Sequence, residues 1–227
     1  MNLIIFKPRL SEDDMMIRRR DFLGPWLPAL FIAALVAAGL QPGPARADEF
    51  SAGAKKFVEI LTADAISMLT VQNISKTERA DRFRRLMNDN FAIKGIAKFV
   101  LGRNWRKATE AEKKEYLQLF EDLLVVTCAD RFEKYSGEKL LVNKSEARGP
   151  GDALVHTVMI RVDGAKPLKV AWRVRGKTGI YKIVDIMVEG ISMVVTQKSE
   201  FASFIKQNGG SMGALLSELK KRMQANI

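Results

Sequence analysis

Residues 139–188 read KLLVNKSEARGPGDALVHTVMIRVDGAKPLKVAWRVRGKTGIYKIVDIMV. Apolar residues here follow a period of about two, the signature of β-strands, whereas the chain on either side follows the helical period. The segments 139–147, 153–162, 168–175 and 180–188 are rich in Val and Ile, and RGPGD, DGAKP and GKTG separate them with turn-forming residues. Connections this short cannot hold a crossover helix, so the strands form an antiparallel meander. In 168–175 the alternation is clean, with Leu168, Val170, Trp172 and Val174 on one face and Lys169, Arg173 and Arg175 on the other. In 180–188 both faces are mostly apolar, which predicts a central strand covered on both sides.

Before the meander, Phe50, Phe57, Ile60, Leu61, Ile66 and Leu69 recur at helical spacing between Glu49 and about Gln72. Thr77 with Arg79 to Met87 makes a second, short helix. Asn90 is expected to cap a third, carrying Phe91, Ile93, Ile96, Phe99 and Val100 as far as Gly102. Thr109 followed by Glu112 is a capping box. It opens what reads as the longest helix, to about Tyr135, with Leu117, Phe120, Leu124, Cys128, Phe132 and Tyr135 on one stripe, widened by Tyr116, Leu123 and Val126. After the meander one helix is expected from Ile191 to Lys206. Another is capped by Ser211 and buries Met212, Leu215, Leu216, Leu219 and Met223. The predicted class is α+β: N-terminal helices, a four-stranded antiparallel sheet, then C-terminal helices, in one domain.

The first 47 residues read differently. From Phe22 to Leu40 there are 19 uncharged residues, about enough to cross a bilayer as a helix. The run contains Gly24, Pro25, Pro28 and Gly39, follows Arg18–Arg20, and ends at the small-x-small site Ala45-Arg46-Ala47. That order predicts a cleavable signal peptide, residues 1–47, and a mature domain, residues 48–227. Arg19-Arg20-Asp21-Phe22-Leu23 is similar to a twin-arginine export signal. Removing the leader leaves 31 basic and 22 acidic residues. For an exported chain, that excess points to lipid headgroups or acidic glycans in place of nucleic acid.

Motifs for chemistry are sparse. A lone cysteine, Cys128, excludes an internal disulfide and reads as a buried structural residue. His156, the sole histidine, sits mid-strand and reads as a satisfied strand residue. Gly176-Lys177-Thr178 lies in a strand-to-strand turn, which is the wrong context for a phosphate loop. Ser203-Phe204-Ile205-Lys206 and Lys177-Thr178-Gly179 occur in the wrong order for a penicillin-recognising pair. Ser192, after Gly190, is the best nucleophile on offer. Arg103, Arg106 and Lys107 surround Trp105, an arrangement that suits a lipid headgroup region. No catalytic residue, metal site or cofactor is expected.

Three stretches carry a family resemblance: residues 100–140, 180–201 and 209–222, with Leu101-Gly102, Trp105-Arg106, Phe120, Leu123-Leu124, Tyr135-Ser136-Gly137, Lys182, Asp185, Glu189-Gly190 and Ser192 as the specific marks. Together these resemble the MlaC family of periplasmic phospholipid carriers. The chain departs from that pattern at Cys128, where the family commonly has Tyr, at Tyr181, where Trp is usual, at Val184, where an aromatic is common, and at Lys198, where Arg is common. The aromatic losses leave a hopanoid or other polycyclic cargo as a variant of the reading.

The resemblance implies an apolar lipid cavity between sheet and helices. It implies a phospholipid or hopanoid ligand, and as partners an inner-membrane ABC transporter and an outer-membrane lipoprotein complex. Strand faces and helix stripes nominate as lipid-binding Phe99, Trp105, Phe120, Leu124, Val158, Ile160, Val170, Trp172, Val174, Ile183, Met187 and Ile191. Val170, Trp172 and Val174 are expected to form one wall with His156, Val158 and Ile160, opposite Phe120 and Leu124. A non-lipid, glycan-binding envelope protein is the competing reading.

Overall fold

A computed structural model describes residues 44–133, 135–177 and 179–224. Within them the chain runs α1 (Pro44–Leu69), α2 (Lys76–Asn90), α3 (Ile93–Leu101), a 3-10 turn (Gly102–Arg106) and α4 (Glu110–Glu133). It continues through β1 (Lys139–Gly149), β2 (Asp152–Ile160), β3 (Leu168–Lys177), β4 (Ile180–Val188) and β5 (Ile191–Ser192), then α5 (Met193–Gln207) and α6 (Met212–Gln224). The proposed leader lies almost wholly outside the described residues.

The expected meander is present as an antiparallel sheet in the order β1-β2-β3-β4-β5. It has five strands and not four. The fifth is only two residues long, too short to show any period, and pairs Ile191 and Ser192 with Val188 and Met187. Glu189 and Gly190, at φ +49° and +82°, make the two-residue turn between them. Positive φ at both positions is what such a hairpin requires.

β4 thus lies between β3 and the short β5, one place from the end of the sheet. It is the last full-length strand, and its outer edge is covered by β5 at one end and by Phe91 at the other, which bridges Ile183 in parallel. Ala92 N–H donates to Ile183 C=O at 2.9 Å. The Lys182 ammonium donates to the last carbonyls of α2, at Asn88 and Asp89. An edge covered in this way offers no template for pairing with another chain.

The apolar interior falls into two clusters. In the first, Phe50, Ala54, Val58 and Leu61 of α1 pack on Ala153, Val155, Val174 and Ile183 of the sheet. Those α1 positions recur every three or four residues, so one helix stripe covers one sheet face. Gly53 lets the helix approach: a Cβ there would meet the Tyr181 hydroxyl at 1.9 Å. Tyr181 lies against Phe50 and Phe57, with ring centroids at 5.1 and 5.7 Å.

The second cluster is all helical and joins α2 through α6 around Tyr116, Phe120, Phe201 and Leu215. Tyr116 is fully covered, and its hydroxyl donates to Ala97 C=O at 3.0 Å. Burial pushes that phenol well above its ordinary pKa. Each fully covered aliphatic or aromatic side chain in these clusters contributes about 1.5–3 kcal/mol. Phe91 packs against both clusters.

The expected caps at Thr109–Glu112 and Ser211 are present, and the one expected at Asn90 is not. The Thr109–Glu112 box is reciprocal, with Thr109 N–H donating to Glu112 Oε2 at 2.8 Å and Glu112 N–H donating to Thr109 Oγ1 at 3.2 Å. Ser211 Oγ accepts from Ala214 N–H at 3.1 Å. Asn90, however, does not cap α3; it closes the last turn of α2, its side chain donating to Leu86 C=O. Among the described residues the longest helix is α1, with 26 residues against 24 in α4. Cys128 is half-buried on α4, less covered than a core residue.

Candidate functional site

Residues opposed across an antiparallel pair share a face, so register assigns every strand residue to the α1 side or the outer side. Val170, Trp172 and Val174 oppose Thr157, Val155 and Ala153 on β2. On β4 they oppose Val188, Ile186 and Ile183. All nine form the inner wall. His156 opposes Ala171, and Val158 opposes Lys169, on the outer face. Ile160 shares that face with Lys139, and Met187 shares it with Ala171. The expected single wall is corrected accordingly: His156, Val158, Ile160 and Met187 stand back to back with Trp172.

The inner wall carries one polar element. Thr157, buried, donates its hydroxyl to Val170 C=O at 2.9 Å and accepts from Trp172 Nε1 at 3.1 Å. This ties the half-buried indole of β3 to β2. Val170, Val174 and Ile183 are buried beside it. Phe120 is buried in the other, helical cluster, and Leu124 is half-buried against it.

Three further nominated residues reach the surface. Phe99 on α3 is 49% exposed and Ile191 on β5 is 60% exposed. Trp105 is half-buried, with the ammonium groups of Lys98 and Lys113 at 5.2 and 5.6 Å from its ring centroid.

A cavity of about 660 Å³ opens where the C-terminal end of α1, the start of α2 and the end of α4 meet. It is lined by Thr70–Ile74, Arg79, Phe132 and Tyr135–Gly137. None of the nominated strand or helix residues lines it. Phe132 and Tyr135 belong to the α4 stripe recognised from periodicity, but the connection at 70–74 has no period to betray it. Arg79 is buried here, and its Nε donates to Leu69 C=O at 3.1 Å, closing the end of α1. Phe132 meets Phe83 at 6.0 Å between centroids, and Phe83 packs on the helical cluster.

The polar joints around the sheet are structural. Asp152 accepts from Arg173 Nε and Nη2 at 3.1 and 2.8 Å and from Arg175 Nε at 2.8 Å. Burial pushes its carboxyl up, but the two guanidinium groups outweigh that and hold it below the usual range. Glu146, beside His156 Nε2 at 3.4 Å, is held low by Lys144 first and His156 second. The His156 contact is too poorly aligned to satisfy that buried nitrogen. Ser192 caps α5: its Oγ accepts from Val195 N–H at 3.1 Å and donates to Asp185 Oδ2 at 2.5 Å. Asp185 also accepts from Val194 N–H at 3.2 Å. Ser192 thus serves as the N-cap of α5, tied in turn to the Asp185 carboxylate.

Known proteins resemble this one over most of the domain. The MlaC protein family model matches residues 59–221. A phospholipid-binding protein from Ralstonia solanacearum, solved in complex with a phospholipid, superposes with a TM-score of 0.67 over 76% of this chain and 98% of that one, at 20% identity, which shows a common fold. The Haemophilus influenzae protein named intermembrane phospholipid transport system binding protein MlaC is 20% identical over 113 residues, 48% of this chain and 53% of that protein. The chain thus spans about half the length of that curated relative.

Proposed function

The chain belongs to the MlaC family, and on that premise we propose that it is a periplasmic carrier that encloses the acyl chains of a phospholipid. The observation that supports this reading is the common fold with a phospholipid-binding protein solved in complex with a phospholipid, built here over two apolar clusters that share Phe91. The depression at the end of α1 is open and mainly polar, and in this reading it takes the polar part of the ligand. Polar lining from Thr70, Gln72, Asn73 and Ser136 suits a headgroup, while Phe132 and the α4 face suit the tails.

Enclosure is what the physics of the cargo demands. Two acyl chains with ~30 methylenes at ~0.8 kcal/mol each amount to about 24 kcal/mol of transfer free energy. No open surface carries that load through water. An apolar interior matching the bilayer it draws from makes exchange close to thermoneutral.

In this reading the leader, residues 1–47, exports the chain and is removed. Twin-arginine export of a folded domain delivers the cavity ready-made. The carrier then shuttles lipid between an outer-membrane lipoprotein complex and an inner-membrane ABC transporter, and so maintains outer-membrane lipid asymmetry. Binding and release need no bond-breaking, and Ser192 is committed as a cap. The test is to purify the exported protein from its native host without detergent and identify what organic extraction releases. Phospholipid supports the reading, a hopanoid changes the cargo, and an extract free of lipid overturns it.

A further inference from the structure

From Phe91 through Thr109 the sequence has no acidic residue, while Lys94, Lys98, Arg103, Arg106 and Lys107 are all exposed. The fold brings this segment against α5. Gly102, at φ +58°, leaves room for the Lys198 stem, and a Cβ there would lie 3.1 Å from Lys198 Cε. That stem sets Lys198 Nζ 4.3 Å over the Phe99 ring. One turn before Lys198 on α5, Val195 is 51% exposed, and Phe99 on α3 is 49% exposed. Apolar side chains and ammonium groups therefore share one surface, and two aromatic rings carry cations on their faces.

We propose that α3, the 3-10 turn after it and the first turns of α5 form a docking surface for an anionic lipid bilayer. Lysine is depleted from the core of protein–protein interfaces, where a continuous apolar patch is the rule. Here Phe99, Met193 and Val195 are exposed on a surface that also carries Lys94, Lys98 and Lys198. Aromatic rings flanked by long cationic stems partition instead into the headgroup layer, with the rings at the acyl boundary and the ammonium groups on phosphates. The acids nearby are engaged elsewhere. Glu110 pairs with Lys113 at 2.8 Å, Glu112 closes the α4 cap, and Asp185 holds Ser192. Phe99 and Trp105, nominated from the sequence as cavity residues, thus meet lipid from outside the carrier.

The surface goes beyond the carrier reading, and the two fail separately. Sedimentation with vesicles of phosphatidylcholine containing one-third phosphatidylglycerol, and with pure phosphatidylcholine vesicles, measures docking. Organic extraction of the same protein measures cargo. The chain should bind the anionic vesicles, release them at high salt and ignore the neutral ones. Each lysine near an anionic surface is worth about fivefold in partitioning, so Lys98→Glu with Lys198→Glu should lower it by at least about twentyfold. Phe99→Ser should weaken it several-fold more, and none of these three changes should alter the extracted lipid. Lys177→Glu with Lys206→Glu changes net charge equally on exposed sites elsewhere and should cost under about threefold. Failure to bind anionic vesicles, equal binding to neutral ones, or equal loss in the control pair would overturn the proposal.

Discussion

The indole of Trp172 donates to the hydroxyl of Thr157 across the β2–β3 pair, at 3.1 Å from Nε1 to Oγ1. Because the same hydroxyl donates to Val170 C=O, one buried threonine orients the largest side chain on the inner wall. Replacing Thr157 with Val keeps the shape and removes both bonds. The expected cost is about 1–3 kcal/mol, since Trp172 Nε1 loses its partner in a largely dry setting. Thr157→Ser, which keeps the hydroxyl, should cost about 1 kcal/mol or less. Urea unfolding midpoints of the two variants check the order; equal losses would mean the hydrogen bonds contribute little.

Val170 stands next to this pair on the same wall, and its enlargement separates a carrier from a filled core. In an ordinary core Val170→Trp overpacks and destabilises by about 1–3 kcal/mol. Beside a lipid cavity the indole takes the place of cargo. The expected outcome is a urea midpoint close to wild type with several-fold less extracted lipid. A lowered midpoint with unchanged lipid would mean that Val170 lies in ordinary core.

Asp152 makes stability depend on acid. Its pKa is lowered in the folded state from 3.8, so its carboxylate favours folding above that value and the benefit disappears as pH falls through the lower, folded value. At neutral pH Asp152→Asn should cost about 1 kcal/mol, kept modest because Arg173 and Arg175 are half exposed. Below about pH 3.8 the gap between wild type and variant should close. Unfolding midpoints measured from pH 7 to pH 2.5 test the sign, and a gap that widens on acidification contradicts it.

Ser192→Ala separates a cap from a nucleophile. Losing the Val195 and Asp185 contacts should cost about 1 kcal/mol of stability. Extracted lipid should stay at the wild-type level, read by the same organic extraction. Loss of cargo handling with unchanged stability would instead point to chemistry at this hydroxyl.

The four long strands were legible because a half-buried strand repeats every two residues, and Leu168–Val174 does so without a break. Which strand face meets which neighbour was not legible. Val158 and Trp172 each lie on an alternating pattern, but only inter-strand register tells whether two patterns coincide, and turn lengths and the bulges near Asn143 and Val184 set that register. The apolar two-sidedness of β4 predicts a central strand; the structure places it one position from the end of the sheet, with the α1 cluster on one face and α5 also packed against it. Asn90 can equally begin one helix or close another, and local sequence does not choose. The cavity lining at Thr70–Ile74 is an irregular connection whose role arises from packing alone. Phe99 and Ile191 lie on apolar stripes, and it is the positions of α3, β4 and α5 that leave them in solvent.

Native mass spectrometry of the protein purified without detergent tests the central claim most directly. The expected spectrum contains the chain plus one diacyl phospholipid or one polycyclic lipid, and collisional activation should release that lipid at its own mass. A spectrum holding only the bare chain, from folded material never exposed to detergent, would contradict the carrier reading.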